Sequence, residues 1–418
     1  MPPAVFSVFS RIVGVRCKGV VAFLSAVVIS VQAVSAQALP APQGVNSPAW
    51  MLIDGESGQV LAEHNADDQR AIASLTKLMT TLVVYRALES GKLHWDDQVT
   101  IPDAVSKLGS DTSRMFVRPG TQVSVDTLMR GLIIVSANDA AISLAVAEAG
   151  SLDGFVQQMN ETAASLGMTN THFENVDGLT QSGHYSTARD LGKLAQQVAQ
   201  EYPGYFKLSS LPDFRFGPFH GYATNRLVRT NSAIDGMKTG YTQAAGSCVI
   251  ASEHRPDGRG NERRLYAIVL GAATHKQRFT DASTLLDYGY NNFYDVHLGS
   301  AGIPMGEFPL WKGASSNVGV TPNQDIVLSM PNDVPVNSLN AELVANKAPL
   351  VAPLNAGDEI GEYRVTLGGH VISHGPLFAA EPVEQENIVS RAIDSVRLAF
   401  GGTQSKTQVP LDVQSLAI

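Results

Sequence analysis

A serine and a lysine stand three residues apart at Ser74 and Lys77, in "ASLTKLMTTLVVY", at the head of a strongly apolar stretch. On a helix that spacing brings both side chains to one face. If solvent reaches the lysine, it is an ordinary charge. If it is buried, its charged form is disfavoured. A neutral amine beside a hydroxyl can then take the hydroxyl proton and make the serine a nucleophile without a histidine. Two further tripeptides offer the other groups such chemistry needs. Ser136 and Asn138, in "SAN", supply a hydroxyl and an amide. Lys238, Thr239 and Gly240, in "KTG", supply a cation, a hydroxyl and a position without Cβ where a ligand can come close to a strand. Each tripeptide alone is matched by capping and turn chemistry. Together, in this order and 62 and 102 residues apart, they form a set suited to acyl transfer.

The elements that must position these groups are legible as patterns. "AWMLIDGESGQVLAEHN" reads as a hairpin around a Gly-containing turn. The Ser74 stretch reads as a helix from Ala71 that ends at Gly91. "VDTLMRGLIIV" and "DAAISLAVAEA" read as two helices broken at "SAN", with Asn138 and Asp139 available to cap the second. A third helix follows from Ser151 to Gly167. "DGMKTGYT", "GSCVIASEH" and "RLYAIVLGAA" read as strands, the last two joined as a hairpin, and residues 275–293 as a helix packed back on them. Strands from both ends of this region enclose a helical middle, which predicts an α+β domain with a mainly antiparallel sheet. Short β-type runs separated by Pro, Gly and Asn then predict a small all-β domain over 302–382. "NIVSRAIDSVRLAF" predicts an amphipathic helix within 386–400, and a disordered tail is expected over 401–418.

The chain has 418 residues and a net charge of −9, with no basic stripe, so a nucleic-acid partner is excluded. Arg11, Arg16 and Lys18 precede an apolar run that closes on the small residues of "VSA". That is the layout of a secretory signal peptide over residues 1–36, followed by a Pro-rich linker over 37–48. Its removal would leave 27 basic and 39 acidic residues. The two cysteines, Cys17 and Cys248, then reduce to one, so no internal disulfide is expected and Cys248 reads as a small buried hydrophobe. No metal-ligand spacing, Walker motif or dinucleotide fingerprint occurs, so no cofactor and no metal is implied.

The motif trio, together with "GSDTSRMFVRPG", "HFENVDGL", "HYSTARDL" and "GMKTGYT", resembles the low-molecular-mass penicillin-binding proteins, serine-type D-Ala-D-Ala carboxypeptidases. The resemblance implies a β-lactamase/transpeptidase-like domain over 49–298, with an antiparallel sheet and a helical subdomain. It implies Ser74 as acyl-enzyme nucleophile, Lys77 as its base and Ser136 as proton relay to the departing D-alanine. Asn138 would hold the substrate amide and orient Lys77. Lys238, Thr239 and Arg278 would face the terminal carboxylate, with the N–H groups of Ser74 and Tyr241 forming the oxyanion hole. Peptidoglycan stem peptides are the implied substrate and β-lactams the implied inhibitors. The implied location is the periplasm, at the outer face of the inner membrane, reached through the C-terminal helix. The same residues would equally serve a D,D-endopeptidase on cross-linked peptidoglycan, and a non-catalytic cell-wall or penicillin-binding module would keep the fold without turnover. Glu174 falls where class A β-lactamases carry a deacylating glutamate. It lacks their E-x-x-L-N pattern, because Asp177 and Gly178 follow it, and it reads as a surface residue.

Overall fold

The computed structural model describes residues 40–399 and 408–411; the expected signal segment and most of the tail lie outside them. Strand β1 (Ala49–Asp54) pairs antiparallel with β2 (Val60–His64). Asp54 closes the turn by accepting hydrogen bonds from the backbone of Glu56 and Ser57. A 3₁₀ turn, Ala73–Leu75, then leads into α1 (Thr76–Glu89). The expected continuous helix from Ala71 is therefore interrupted. Ala73 sits at φ +49°, outside the helical region, so Ser74 lies on a tight turn rather than within the helix. Every residue from Thr76 to Tyr85 is buried, as befits a helix that is apolar on nearly all sides.

Strands β3 (Gln98–Thr100) and β4 (Gln122–Ser124) pair antiparallel with each other. Helices α2 (Val125–Ile134), α3 (Asn138–Ala149), α4 (Leu152–Ser165), α5 (Ala188–Glu201) and α6 (Tyr205–Ser209) complete the helical block. Ser124, Ser151 and Thr187 cap α2, α4 and α5 through their side chains. Helix α3 differs from expectation. Its N-cap is Ala137, with no side-chain bond, because the Asp139 carboxylate is engaged across the chain by the N–H groups of Met115 and Val117.

The hairpin β5 (Asp213–Phe216) and β6 (Phe219–Tyr222) precedes the meander β7 (Ile234–Thr242), β8 (Gly246–Pro256) and β9 (Glu262–Ala272). The five-stranded sheet runs β2-β1-β9-β8-β7, antiparallel throughout, with β7 on the outer edge. Period-two alternation divides its side chains between two cores. Met51, Ile53, Ile250 and Ile268 face the helical block, while Leu52, Val249, Ala251 and Leu265 face α7 (His275–Asn292). Cys248 is buried in β8 as a free thiol.

The remaining strands are β10 (Phe293–Gly299), β11 (Gly306–Trp311), β12 (Asn317–Thr321), β13 (Ile326–Pro331), β14 (Leu339–Ala345), β15 (Leu350–Val351), β16 (Glu359–Leu367) and β17 (His370–Ala379), followed by α8 (Ile388–Ala399) and β18 (Gln408–Leu411). They form the pair β10-β13 and the sheet β15-β11-β12-β17-β16-β14-β18. Two sequence expectations change here. β10 falls, all but Gly299, within the bounds expected for the first domain, yet its partner is β13. Residues 408–411 are not disordered: they pair with β14, and Val409 packs on the core around Phe308 and Leu343.

Candidate active site

The first turn of α1 brings its lysine under the preceding serine. Lys77 is fully buried, and its Nζ donates to Ser74 Oγ at 2.8 Å and to the Asp177 carbonyl at 2.6 Å. Ser74 Oγ itself lies 3.3 Å from the same carbonyl. Burial pushes the Lys77 amine down to about 8, although the carboxylates of Asp177 and Asp139 favour its charge. Among the described residues no carboxylate bonds Nζ directly. At pH 7, then, about a tenth of this amine is neutral and free to accept the hydroxyl proton, against almost none for an ordinary lysine.

Ser136 occupies the break between α2 and α3 at φ +61°, and its hydroxyl accepts from Lys238 Nζ at 2.7 Å. Lys238 is buried on β7 and also donates to the Thr239 carbonyl at 3.0 Å. Burial, then the charges of Lys77 and Arg278, hold its amine well below the usual lysine range. The fold thus draws Lys238 to Ser136 and brings two lysines into electrostatic reach of each other.

Gly240 also lies against the chain itself. A Cβ there would fall 2.8 Å from the Ile72 carbonyl and 3.0 Å from Ser74 N, so the close approach is that of the Ser74 turn itself. Tyr241, next along β7, is more than half exposed and meets the His275 ring edge-on at 4.7 Å. Arg278, on α7, reaches the same strand. Its Nη1 donates to the carbonyls of Gly240 at 2.9 Å and Cys248 at 3.4 Å, while its buried Nε has no partner. Burial lowers its guanidinium to about 10. Asn138 is buried at the start of α3, but the expected contact with Lys77 is not made: the amine bonds Ser74 and Asp177 instead.

The loop 173–178, within "HFENVDGL", is the part of the site that the motif trio did not reveal. Thr80 Oγ1 donates to the Val176 carbonyl at 2.7 Å, and Lys77 to that of Asp177, which staples the loop to α1. Gly178, at φ +83°, lies so close to the Ala73–Ser74 peptide that a Cβ would fall 2.0 Å from the Ala73 carbonyl oxygen. Backbone carbonyls have no residue signature; the only sequence trace was the glycine of "VDGL". Glu174 stays at the surface, with its carboxylate 3.3 Å from His172 Nε2.

Residues 34–274 match the family model described as D-alanyl-D-alanine carboxypeptidase, and residues 293–385 the model of penicillin-binding protein 5, C-terminal domain. D-alanyl-D-alanine carboxypeptidase DacA of Escherichia coli K12 is 34% identical over 367 residues, covering 87% of this chain and 90% of the relative. The crystal structure of penicillin binding protein 5 from Haemophilus influenzae superposes with a TM-score of 0.76 at 32% identity, over 83% of this chain and 100% of that one. Penicillin-binding protein D2 from Listeria monocytogenes, solved in its ampicillin-bound form, matches with a TM-score of 0.51 at 32% identity, over 58% of this chain and 96% of the other. The meander that carries Lys238, the turn that carries Ser74 and the β-rich region behind them all fall within these matches, and the chain belongs to the D-alanyl-D-alanine carboxypeptidase family of serine penicillin-binding proteins.

Proposed function

We propose that this chain is a serine D-Ala-D-Ala carboxypeptidase that removes the terminal D-alanine of peptidoglycan stem peptides through an acyl-enzyme on Ser74. The observation that carries the mechanism is the buried Lys77 amine, lowered to about 8 and 2.8 Å from Ser74 Oγ. Ser74 Oγ attacks the carbonyl carbon of the penultimate D-alanine while Lys77 takes its proton. The tetrahedral oxyanion is received by the N–H groups of Ser74 and Tyr241. Its collapse breaks the peptide bond; the departing amine takes the hydroxyl proton of Ser136, which is bonded to Lys238, and the proton held by Lys77 restores that hydroxyl. Water then attacks the acyl carbon, and the serine recovers its proton as the shortened peptide leaves. Lys238, Thr239 and Arg278 supply the cationic and hydroxyl groups for the substrate's terminal carboxylate, and Asn138 holds its amide. A β-lactam presents a strained amide to the same serine and remains attached.

The proposed setting is the periplasm, with α8 resting on the outer face of the inner membrane. No residue of this helix is buried, and Ile388, Val389, Ile393 and Val396 are all exposed. Its polar side faces the protein instead: the Asp394 carboxylate accepts from the Lys312 N–H at 2.9 Å. An amphipathic helix held by its polar side leaves an apolar face for a lipid interface. No described helix is long and apolar enough to cross a membrane. The function is tested by D-alanine release from a monomeric pentapeptide, with cross-linked muropeptides in parallel. Release from the monomer supports the carboxypeptidase. Cleavage of cross-links alone would make the chain an endopeptidase, and no release from either would leave a binding module.

A further inference from the structure

His184 lies outside the motif trio, yet it is buried and connected to Ser74 through the backbone. Its Nδ1 accepts from the Glu174 N–H at 3.1 Å, so the ring proton sits on Nε2. Nε2 is 2.7 Å from Thr76 Oγ1 and donates to it; the Thr76 hydroxyl in turn donates to the Ala73 carbonyl at 2.8 Å. Burial lowers the imidazole to about 4, which keeps the ring neutral and this donor order fixed. The edge of the ring packs on Phe173 with centroids 5.7 Å apart, which sets its plane.

The chain of bonds ends on a strained residue. Ala73 is at φ +49°, and the backbone N–H of Thr76 also reaches its carbonyl. A peptide unit is planar, so fixing where the Ala73 carbonyl points fixes where the Ser74 N–H points, on the opposite side. We propose that His184 is a positioning residue for acylation: through Thr76 it clamps the Ala73–Ser74 peptide and aims the Ser74 N–H at the forming oxyanion. The proposal rests on the reading of Ser74 as the nucleophile. It also joins the loop that reaches Lys77 to the turn that carries Ser74, because Glu174 and Asp177 belong to one segment.

The test uses the full chain and two readouts: the acylation rate with a fluorescent penicillin, and kcat and KM for D-alanine release from a pentapeptide. His184→Phe keeps the ring volume and loses both bonds. Thr76→Val is nearly isosteric and loses the hydroxyl. Each is expected to lower acylation and kcat about 10- to 100-fold, somewhat less than outright loss of an oxyanion donor, with KM within about threefold. The double variant is expected to be no slower than the slower single one, since both cut the same chain. His184→Gln, whose amide offers one acceptor and one donor, is expected to recover to within about fivefold. Unchanged rates overturn the proposal, as do additive losses, or a fall only in the labelled fraction with normal rates in the labelled molecules. Ser74→Ala separates the two readings. Labelling that persists in it sinks the nucleophile and the clamp together, whereas its loss beside unchanged His184 and Thr76 variants sinks the clamp alone.

Discussion

The side chain of Lys77 is buried with only a hydroxyl and a carbonyl as partners, and its charge is disfavoured for that reason. As a base it works in the neutral form, so acylation by penicillin is expected to rise with pH and level off above about 8. A rate independent of pH between 6 and 9 would contradict this. Lys77→Arg, which keeps the charge but cannot act as a base, is expected to reduce acylation at least a hundredfold. Removing the amine altogether should affect stability in the opposite sense to activity. The folded value lies below the ordinary 10.5, so at pH 7 keeping this amine buried costs on the order of 3 kcal/mol relative to the unfolded chain. Lys77→Met is therefore expected to raise the denaturation midpoint while abolishing activity, as denaturant titration and a penicillin label would show. At this scale the sequence was informative where chemistry resides in side chains. Ser74, Lys77, Ser136 and Lys238 were legible and converge as two bonded pairs. The Asp177 carbonyl was not, because any residue could supply it.

Among the elements, the turn Ala73–Leu75 is shaped from outside. Gly178 and Gly240 press on it from two sides, and neither leaves room for a methyl group. Gly178→Ala also places a side chain at φ +83°. It is expected to lower stability by about 2–4 kcal/mol and to slow acylation, read by thermal unfolding and penicillin labelling. A variant with wild-type stability and rate would show that the loop 173–178 is not coupled to Ser74. The hairpin and meander were legible because their alternation has a period of two and their joints carry turn residues. The 3₁₀ turn was not, since an alanine gives no hint of positive φ; the distant glycines impose it. Helix α3 was misread at its cap for a related reason, its aspartate being claimed by the N–H groups of Met115 and Val117.

For the molecule as a whole, the five-stranded sheet and the β10-β13 pair are joined through buried charge. Arg263 of β9 donates to Asp54 of β1 at 2.8 Å, lies 3.1 Å from Asp295 of β10, and also bonds Ser329 of β13. All four are buried. Arg263→Met would strand two carboxylates and is expected to cost about 3–5 kcal/mol in denaturant unfolding. Burial and the neighbouring Asp54 push the Asp295 carboxyl up to about 7, against the pull of Arg263. The native state thus holds a proton that the unfolded chain releases near pH 4. The contribution of Asp295 to stability is therefore expected to fall as pH rises from about 4 through 7, so the unfolding midpoint of the wild type relative to that of Asp295→Asn should be lower at pH 8 than at pH 6. A difference between the two proteins that does not change with pH would place the titrating group elsewhere. Replacing the exposed Ile388, Val389, Ile393 and Val396 of α8 together by Gln is expected to release the protein from membrane vesicles with carboxypeptidase activity intact. The β-rich composition of this half was legible, but β18 was not, because its partner β14 lies more than sixty residues away in the chain.

The central claim is that Ser74 attacks the substrate, and mass spectrometry of the intact and digested protein after brief exposure to penicillin tests it most directly. The account predicts one penicilloyl adduct per chain, located on the peptide that contains Ser74 and absent from Ser74→Ala. An adduct on any other residue, or an undiminished adduct in Ser74→Ala, would contradict it.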